Sequence, residues 1–560
     1  MRISSIPHIY RHVNRWREIL AVFSKYGLAD WISRLGPDFA KDLLKAPGGT
    51  AIARHSWQTR IRLAISELGP TFIKLGQILS TRPDLVGVAL AEELQHLQAD
   101  VPADPPEVVR AIIVAELGRP VEELFDQFDE TPFASASIGQ CHGARLKTGE
   151  AVVVKVQHAD IQRKVAVDCD ILQGLAQMAE RIPEFRNYRP RAIASEFERT
   201  IRRELDFSRE RRHMELFARN FAGDPRVHIP RAYGELCTSR VLCMERVEGI
   251  PLADVDRLRS AGVDLEQIGR RGAEIYLKMV FEHGFFHADP HPGNILVMDG
   301  GVIALLDHGM VGRIDERLHE DMAEMLLAVT TQDAEHLTSL IVRVGQIPAE
   351  LDRTALSIDV TDLVAHYGNQ PIEEFDLSGA LRELVELIRR YRIMLPTRIA
   401  MLIKTLITLE GTSRLLSPHF SLLELIKPYR RKMLMRRFSP RRRARKLRRF
   451  LADMEHLIET LPQGIQDILE QVQSGTFDVH LDHRGLEPSV NRLVLGMLAS
   501  ALFLGSSWLL AQHVPPLFRG VSVPGTTGCV LALLLGLRLL RAINKSGHLD
   551  RGSDRREDRN

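Results

Sequence analysis

The chain lacks the cysteine patterns and leader segment of an exported protein. Its 560 residues include five cysteines, Cys141, Cys169, Cys237, Cys243 and Cys529, with neither a CxxC pair nor a metal-ligand spacing between them. The first twenty residues contain no apolar region followed by a small-residue cleavage site, as a secretory signal would. A reduced, cytosolic compartment is therefore expected for the soluble part of the chain.

An excess of charge of either sign is also missing, because 74 Lys and Arg residues face 72 Asp and Glu residues. One segment departs from this balance, with twelve basic residues between Arg430 and Arg449. Such a segment suits nucleic acid, anionic lipid headgroups or a solvated linker. No nucleic-acid module accompanies it, so no nucleic acid is expected. Headgroup binding, at about 1 kcal/mol per basic residue near the surface, is favoured.

Long hydrophobic runs are absent until the C-terminal part, where residues 493–512 and 520–537 carry no charged side chain. Each run is long enough to cross a hydrocarbon core of about 30 Å, although a buried hairpin in a soluble domain would look similar. Arg492 precedes the first run, and Arg538 and Arg541 follow the second. Basic flanks favour the cytoplasm, so the pattern predicts two membrane-spanning helices with both ends cytoplasmic.

The rest of the chain alternates between helical and strand patterns. Helical spacing of apolar residues extends to about residue 120, and strand patterns follow at 131–157, 239–249 and 294–309. Helical periodicity fills the intervals between them and continues over 315–428. This order favours a two-lobed α+β domain over a βαβ sheet.

The stretch FFHADPHPGN, residues 285–294, brings two histidines into one short segment. His287 and His291 have the spacing of zinc ligands on a helix. Pro290 and Pro292 flank His291, and a proline inside a helix costs about 3 kcal/mol. The zinc helix is therefore disfavoured, and a rigid loop is expected instead.

Such a loop would project Asp289 and Asn294, and Asp307 follows thirteen residues later, beyond a predicted hairpin. Three oxygen-bearing side chains in this arrangement suit a hard cation such as Mg²⁺ that carries phosphates. The order H-x-D-x-x-x-x-N followed by D-x-G is that of protein kinases. In that chemistry Asp289 orients the proton of the nucleophile, while Asn294 and Asp307 bind metal. The alternative is a turn in which these residues serve as hydrogen-bonding caps.

A phosphate-transfer site also needs a cation, and Lys155 lies in the middle of the valine-rich segment AVVVKV. A strand lysine is commonly a solvent-facing edge residue unless a carboxylate pairs with it. The charged helical segment 198–217 offers Glu204, Asp206 and Glu210 as partners, although a solvated charged face would look the same. A strand Lys paired with a helix Glu belongs to the kinase apparatus.

A glycine-rich loop is absent where a kinase would have one before its lysine strand. Its place is taken by the alanine loop, defined here as residues 134–140, which has one glycine, Gly139. Alanine and serine are less pliable than glycine, so an altered nucleotide geometry and an altered balance between ADP and ATP are expected.

Together these motifs resemble those of the UbiB/AarF-type atypical kinases, relatives of the mitochondrial coenzyme Q accessory kinases. The resemblance covers residues 60 to 320 and rests on the following segments: KLGQ (74–77), ASASIGQ (134–140), VVKV with Lys155, ELDF (204–207), HADPHPGN (287–294) and DHG (307–309). Ser135 stands where an alanine is usual in the family.

The resemblance implies a role for each matched residue. Lys155 and Asp289 would be catalytic, and Asn294 and Asp307 would bind Mg²⁺. A lid over the site would include Lys74, Gln77, Glu204 and Asp206. The residues that bind ATP or ADP would be Ala134, Ser135, Ala136, Ser137, Ile138, Gly139, Gln140, Lys155 and Glu210.

The resemblance also implies a bilobal kinase-like fold. The expected division is a helical N-terminal extension (1–120), an N-lobe (121–249), a C-lobe (250–428), a basic and amphipathic linker (429–489), two transmembrane helices (490–545) and a disordered tail (546–560).

The function implied is a membrane-anchored, Mg-ATP-dependent kinase or ATPase that supports ubiquinone biosynthesis in the bacterial inner membrane, with its kinase-like domain in the cytoplasm. Membrane lipids, quinone precursors and other quinone-biosynthesis proteins are the expected partners. The alternative is a non-catalytic scaffold that senses nucleotide and recruits biosynthetic enzymes.

Overall fold

The structure is a computed structural model. It describes residues 13–27, 55–97, 101–181, 189–348, 350–368, 370, 375–418, 420–426, 428–429, 454, 486–518 and 521–544. The chain divides into two compact units, Met1–Ala444 and Arg445–Asn560. The basic segment 430–450 and the tail 546–560 lie outside the described residues. So does the rest of the expected amphipathic linker up to residue 485, apart from Met454.

The first unit contains seventeen of the helices described below. They are α1 Val13–Lys25, α2 Trp57–Leu68, α3 Pro70–Ser80, α4 Pro83–Val86, α5 Val88–Gln95, α6 Pro106–Leu117, α7 Val121–Leu124, α8 Ile161–Ala179, α9 Pro190–Glu204, α10 Phe207–Asn220, α11 Val255–Ser260, α12 Leu265–Lys278, α13 Glu316–Thr330, α14 Ala334–Val344, α15 Arg353–Gly368, α16 Leu377–Arg390 and α17 Thr397–Leu416. The second unit contributes α18 Leu486–Ala511 and α19 Val523–Asn544.

The strands, numbered in chain order, are short apart from two. They are β1 Phe125–Phe128, β2 Ala134–Ser135, β3 Gly139–Leu146, β4 Ala151–Gln157, β5 Val227–His228, β6 Val241–Glu245, β7 Ile250–Pro251, β8 Phe285–His287, β9 Ile295–Met298, β10 Val302–Leu305, β11 Val311–Arg313, β12 Leu517–Phe518 and β13 Val521–Ser522.

An antiparallel sheet of order β1-β3-β4-β6, with β2 added to β3, holds the lysine strand. Strand β4 is central, and Val152, Val154 and Val156 are fully buried on one of its faces. Side chains alternate between the two faces of a strand, so Lys155 projects from the other face. The hairpin predicted from sequence around 147–150 is confirmed as the β3–β4 hairpin.

A second sheet, of order β5-β10-β9-β7, carries the segment that follows the FFHADPHPGN stretch. Its β9–β10 hairpin turns at residues 299–301, as the sequence predicted. Strand β8 pairs with β11 in a separate ribbon. Strand β8 precedes the hairpin and β11 follows it, so their pairing brings residues 287–294 close to residues 307–309. Leu306 also donates its N–H to the Asn294 carbonyl at 2.9 Å.

Apolar side chains gather into several clusters within the first unit. The largest joins the helices α12 and α17 to the second sheet through residues such as Ile275, Ile303 and Leu409. A separate cluster packs α1, α2, α3 and α5 around Trp16 and Phe72. The helical reading of the N-terminal region is therefore confirmed for its described residues, and buried faces rather than propensity fix these helices.

The second unit contains α18 and α19, which pack against each other. Leu493–Ala511 and Val523–Arg541 are long and apolar enough to cross a membrane. Most of their apolar side chains are exposed, including Met497, Leu504 and Trp508. A buried hairpin in a soluble core would bury these side chains, so the hairpin in this structure presents an apolar surface.

Candidate active site

Lys155 leaves the central strand β4 and pairs with a carboxylate on α10. Its Nζ lies 2.9 Å from Glu210 Oε2, and both side chains are largely buried, at 13% and 6% exposure. Of the three acidic partners that the helix offered in sequence, Glu210 is the one that contacts Lys155. The aromatic ring of Phe207, one turn earlier, lies 5.1 Å from the ammonium and shields the pair.

Asp307 lies beside this pair and is more open, with its Oδ1 4.0 Å from Lys155 Nζ and its side chain 57% exposed. Burial alone would lower the pKa of Lys155, but Glu210 and Asp307 together outweigh it, and the pKa is raised. Lys155 in turn holds the pKa of Asp307 well below its usual range. At neutral pH the site therefore presents a fixed ammonium and a fixed carboxylate.

Lys74, the first residue of KLGQ, forms a second ion pair next to the first. Its Nζ lies 2.7 Å from Glu204 Oε2, and this pair is also largely buried. Although burial acts to lower the pKa of Lys74, Glu204 and then Asp307 raise it further than burial depresses it. The N-terminal helix α3 thus brings a cation to within electrostatic reach of Asp307.

The other two residues assigned to the lid lie close by but differ in their contacts. Gln77 is half-buried one turn after Lys74 on α3. Asp206 is the N-cap of α10, where its carboxylate accepts the Ser208 N–H at 3.1 Å. A carboxylate at this position also interacts favourably with the helix dipole, so Asp206 stabilises the start of the helix that carries Glu210.

The FFHADPHPGN stretch is a strand followed by a loop, and its histidines are structural. His287 is fully buried, and its Nε2 donates to the carbonyl oxygens of Leu306 and Asp307 at 3.0 and 2.9 Å. Its Nδ1 accepts the Asp289 N–H at 3.3 Å. Both ring nitrogens are therefore occupied by backbone groups, and His287 fastens the loop to the DHG segment.

The acidic and amide groups of the loop contact each other. Asn294 donates its Nδ2–H to Asp289 Oδ2 at 3.0 Å. Lys404, on helix α17, places its Nζ 3.5 Å from Asp289 Oδ1 and is largely buried. The same helix supports the loop backbone, because Thr405 and Thr412 donate to the carbonyls of Ala288 and Pro290 at 3.2 and 3.3 Å.

The donor set fits a magnesium ion carrying phosphates. Asp307 adopts φ 48° and accepts the Gly309 N–H on Oδ1 at 3.2 Å, and its carboxylate is ionised and accessible. Among the described residues, no group of three or more His, Cys, Asp or Glu side chains is arranged to hold a metal. Asn294 and Asp307 are the residues that would hold such an ion, with phosphate oxygens and water completing its shell, a mode that Mg²⁺ commonly adopts.

The alanine loop runs from β2 into β3 and turns tightly, with the Ala136 N–H donating to the Gly139 carbonyl at 2.8 Å. Ala134 and Ala136 are exposed, whereas Ser137, Ile138, Gly139 and Gln140 are buried. A Cβ on Gly139 would lie 2.6 Å from the Val156 carbonyl oxygen. The single glycine of the loop is therefore located where the backbone passes closest to the lysine strand.

Three family models match the chain. One described as the ABC1 atypical kinase-like domain matches residues 96–341, a UbiB helical domain matches 360–421, and an ABC1/UbiB kinase-like C-terminal domain matches 480–545. A probable protein kinase UbiB of Azotobacter vinelandii is 35% identical over 463 residues, 82% of this chain and 84% of that protein. The chain belongs to the UbiB family.

Two further similarities accompany this assignment. The UbiB-family chain is 31% identical over 506 residues to a Clostridium pasteurianum protein described as an uncharacterized protein in the hydrogenase 1 5′ region, covering 87% of this chain and 93% of that one. A Mycobacterium tuberculosis protein solved in complex with erythromycin overlaps with TM-score 0.45 at 23% identity, covering 65% of this chain and 93% of that chain.

Membership in the UbiB family confirms the resemblance drawn from the sequence motifs and makes the chain an atypical kinase-like protein. Sequence reasoning missed Lys404, His158 and Asp104, which contact Asp289 or the alanine loop in the structure. One of these three residues could have been identified from the sequence. Lys404 is a lone charge in the apolar run of α17, as Lys155 is in β4.

Proposed function

We propose that this UbiB-family chain is a membrane-anchored, Mg²⁺- and ATP-dependent atypical kinase or ATPase that supports ubiquinone biosynthesis. The observation that carries the proposal is the grouping of Lys155, Glu210 and Asp307 beside a loop that presents Asp289 and Asn294. A strand lysine paired with a helix glutamate, a metal-binding aspartate and a catalytic-loop aspartate are the parts that phosphoryl transfer requires.

Each residue has a task in this proposal. Lys155, held in place by Glu210, contacts the nucleotide phosphates. Asp289 orients the attacking hydroxyl or water and accepts its proton, and Lys404, with its Nζ 3.5 Å from Asp289 Oδ1, holds that carboxylate in position. Asn294 and Asp307 hold Mg²⁺, which neutralises charge on the phosphates when it is bound. Residues 134–140 and Glu210 complete the nucleotide site, with ATP or ADP as its ligand.

The lid residues limit the size of the phosphoryl acceptor that the site could admit. Lys74 and Glu204 form a buried ion pair close to Asp307, and this places the N-terminal helices next to the site. A peptide acceptor that approached beside Asp307 would compete with these helices for space. ATP hydrolysis, or transfer to a small lipid-like quinone precursor, is therefore favoured over phosphorylation of other proteins.

The proposed architecture is bilobal, with an N-lobe at 121–249, a C-lobe at 250–428 and the helical extension 1–120 carrying the lid. Residues 429–489 link this part to the transmembrane hairpin 490–545, in the inner membrane of a bacterium, with the kinase-like domain in the cytoplasm. The exposed apolar surface of α18 and α19 supports the anchor. Quinone precursors reside in the same membrane, where lipids and other biosynthetic proteins are the proposed partners.

The test is ATP turnover by the full-length chain in lipid vesicles, with and without Mg²⁺. Asp307→Asn should reduce turnover by about a hundredfold or more, because it removes a charged metal ligand. Asp299→Asn, which changes an exposed turn residue of the same hairpin, is the matched control and should retain full activity. Equal turnover in Asp307→Asn and wild type would contradict the proposal.

A non-catalytic, nucleotide-sensing scaffold is the second candidate. The Lys74–Glu204 ion pair favours this candidate if the pair blocks access of an acceptor to the site. Complementation of a quinone-deficient strain separates the two. Asp289→Asn should fail to restore quinone synthesis if catalysis is required, while its binding of ATP stays intact. Rescue by this variant would favour the scaffold.

A further inference from the structure

The alanine loop is fastened to the rest of the protein by two residues that belong to none of the kinase-like motifs. Asp104 lies in the segment before α6, and His158 directly follows β4. The two side chains contact each other, with His158 Nδ1 donating to Asp104 Oδ2 at 2.9 Å. His158 is buried, at 5% exposure, which marks an interior brace rather than a surface contact.

Asp104 connects three segments of the chain. Its Oδ2 also accepts the Ala159 N–H at 3.0 Å, and its own backbone N–H donates to Gln140 Oε1 at 3.0 Å. Gln140 is fully buried at the end of the alanine loop. A single residue thus ties the segment before α6 to the start of β3 and to the end of β4.

His158 holds the loop itself at two carbonyl groups. Its backbone N–H donates to Ile138 O at 3.1 Å, and its Nε2 donates to Ala136 O at 2.9 Å. Both ring nitrogens therefore face oxygen acceptors, Asp104 Oδ2 and the Ala136 carbonyl oxygen. Because His158 is itself buried, leaving either ring nitrogen without its acceptor is costly.

The Ala136 contact sets the direction of a backbone amide. A trans peptide is planar, so a carbonyl that points towards His158 forces the N–H of the next residue, Ser137, to point the opposite way. Ala136 is exposed, whereas the next two residues, Ser137 and Ile138, are buried. The brace therefore acts where the loop passes from exposed to buried residues.

We propose that Asp104 and His158 are positioning residues that hold the alanine loop in its phosphate-binding conformation and thereby set its relative affinity for ADP and ATP. A glycine-rich loop can adapt its amides to a ligand, but an alanine-rich loop has to be held in the right shape beforehand. The inference rests on the proposed nucleotide-binding function and adds the residues that tune it.

The experiment compares two buried histidines, His142 in β3 and His158 directly after β4, in the full-length chain in vesicles. His158→Phe removes the brace, while His142→Phe removes a ring that donates to the Asp129 carbonyl at 2.8 Å, outside the alanine loop. We expect His158→Phe to raise the KM for ATP about tenfold, as for the loss of one buried hydrogen bond, and to change the ratio of the ADP and ATP dissociation constants. The kcat should stay within about twofold, and His142→Phe should leave the ratio unchanged.

Two further variants keep the test decisive if His158→Phe folds poorly. His158→Gln can still donate to the Ala136 carbonyl and should recover part of the affinity. Asp104→Asn keeps an acceptor oxygen but loses its charge, and should shift the same ratio in the same direction. Hydrogen exchange should show faster exchange at residues 136–138 in His158→Phe than in His142→Phe.

The inference fails if the two histidine variants change nucleotide affinity equally, or if neither changes it while wild type binds nucleotide. If wild type binds neither ATP nor ADP, the proposed function itself fails, and the inference fails with it. The two failures are therefore distinguished by the wild-type measurement alone.

Discussion

At the scale of single residues, the informative positions were charges in apolar surroundings. Lys155 in β4 stood out in the sequence for this reason, and the structure gives it a buried carboxylate partner 55 residues away, Glu210. Lys404 in α17 has the same signature and also meets a carboxylate, Asp289. Burying an ammonium without a partner is costly, so a lysine inside an apolar segment predicts a paired acid elsewhere in the fold.

Lys404 should matter for turnover more than for nucleotide binding. Lys404→Ala leaves the Asp289 carboxylate without its nearest cation, so we expect kcat to fall roughly 10- to 100-fold with KM for ATP little changed. Lys404→Arg should retain part of the activity. Lys278→Ala, which breaks the pairing with Asp224 at 3.0 Å, serves as the matched control for loss of a partly buried lysine. Steady-state ATP turnover measures both, and equal losses in the two alanine variants would contradict a specific role.

His308 predicts how stability depends on pH. Burial lowers its pKa from 6.5 to about 3, so the unfolded chain binds a proton well before the folded chain does as pH falls. Stability is therefore lost progressively from about pH 6.5 down to about pH 3, at about 1.4 kcal/mol per pH unit, or about 2 kcal/mol by pH 5.

His308→Asn should reduce this dependence, seen as a smaller drop in apparent Tm between pH 7 and pH 5. The exposed His366→Asn should keep the wild-type drop. An unchanged drop in His308→Asn would show that other groups dominate acid unfolding.

At the scale of elements, the two hairpins follow from the sequence because turn residues and alternating apolar residues fix them locally. The alanine loop does not follow in the same way. Its shape depends on the approach of β4 and on His158, which lie later in the chain. Local pattern determines an element, while contacts from other elements determine a loop.

Two glycines test this distinction. Gly139→Ala would place a Cβ 2.6 Å from the Val156 carbonyl, so we expect a loss of about 1–3 kcal/mol in the free energy of unfolding. At Gly411, inside helix α17, a Cβ would meet no atom within 4 Å, and Gly411→Ala should be neutral or stabilise by up to about 1 kcal/mol. Denaturant unfolding of the two variants measures the difference, and similar values would contradict the steric argument.

At the scale of the whole molecule, a buried ion pair in the N-terminal helices forms hydrogen bonds with the segment before α17. Arg82 Nη2 lies 2.8 Å from Asp84 Oδ2 and donates to the Leu395 carbonyl at 3.1 Å. Asp84 in turn accepts the Leu395 N–H at 3.2 Å. The helix that supports Asp289 is therefore anchored to the region that carries Lys74.

Breaking this pair should be costly. Arg82→Met leaves the fully buried Asp84 carboxylate without its cation, at an expected cost of roughly 3–5 kcal/mol in the free energy of unfolding. Arg259→Met removes an exposed pair with Asp256 and should cost less than about 1 kcal/mol. The double variant Arg82→Met/Asp84→Asn should recover part of the loss. Equal unfolding midpoints for the two single variants would contradict the burial argument.

The sequence by itself determined the local elements, the two apolar C-terminal helices, and the order and spacing of the motif residues that identify the family. Periodicity, turn chemistry and motif spacing are properties of neighbouring residues, so they can be read along the chain. Only the tertiary structure decided which acid meets Lys155, that Lys404 reaches Asp289 across 115 positions, and that Asp104 and His158 brace the alanine loop. These contacts join residues far apart in sequence. Burial makes an unpaired polar group costly, so each of these side chains has a specific partner in the folded chain.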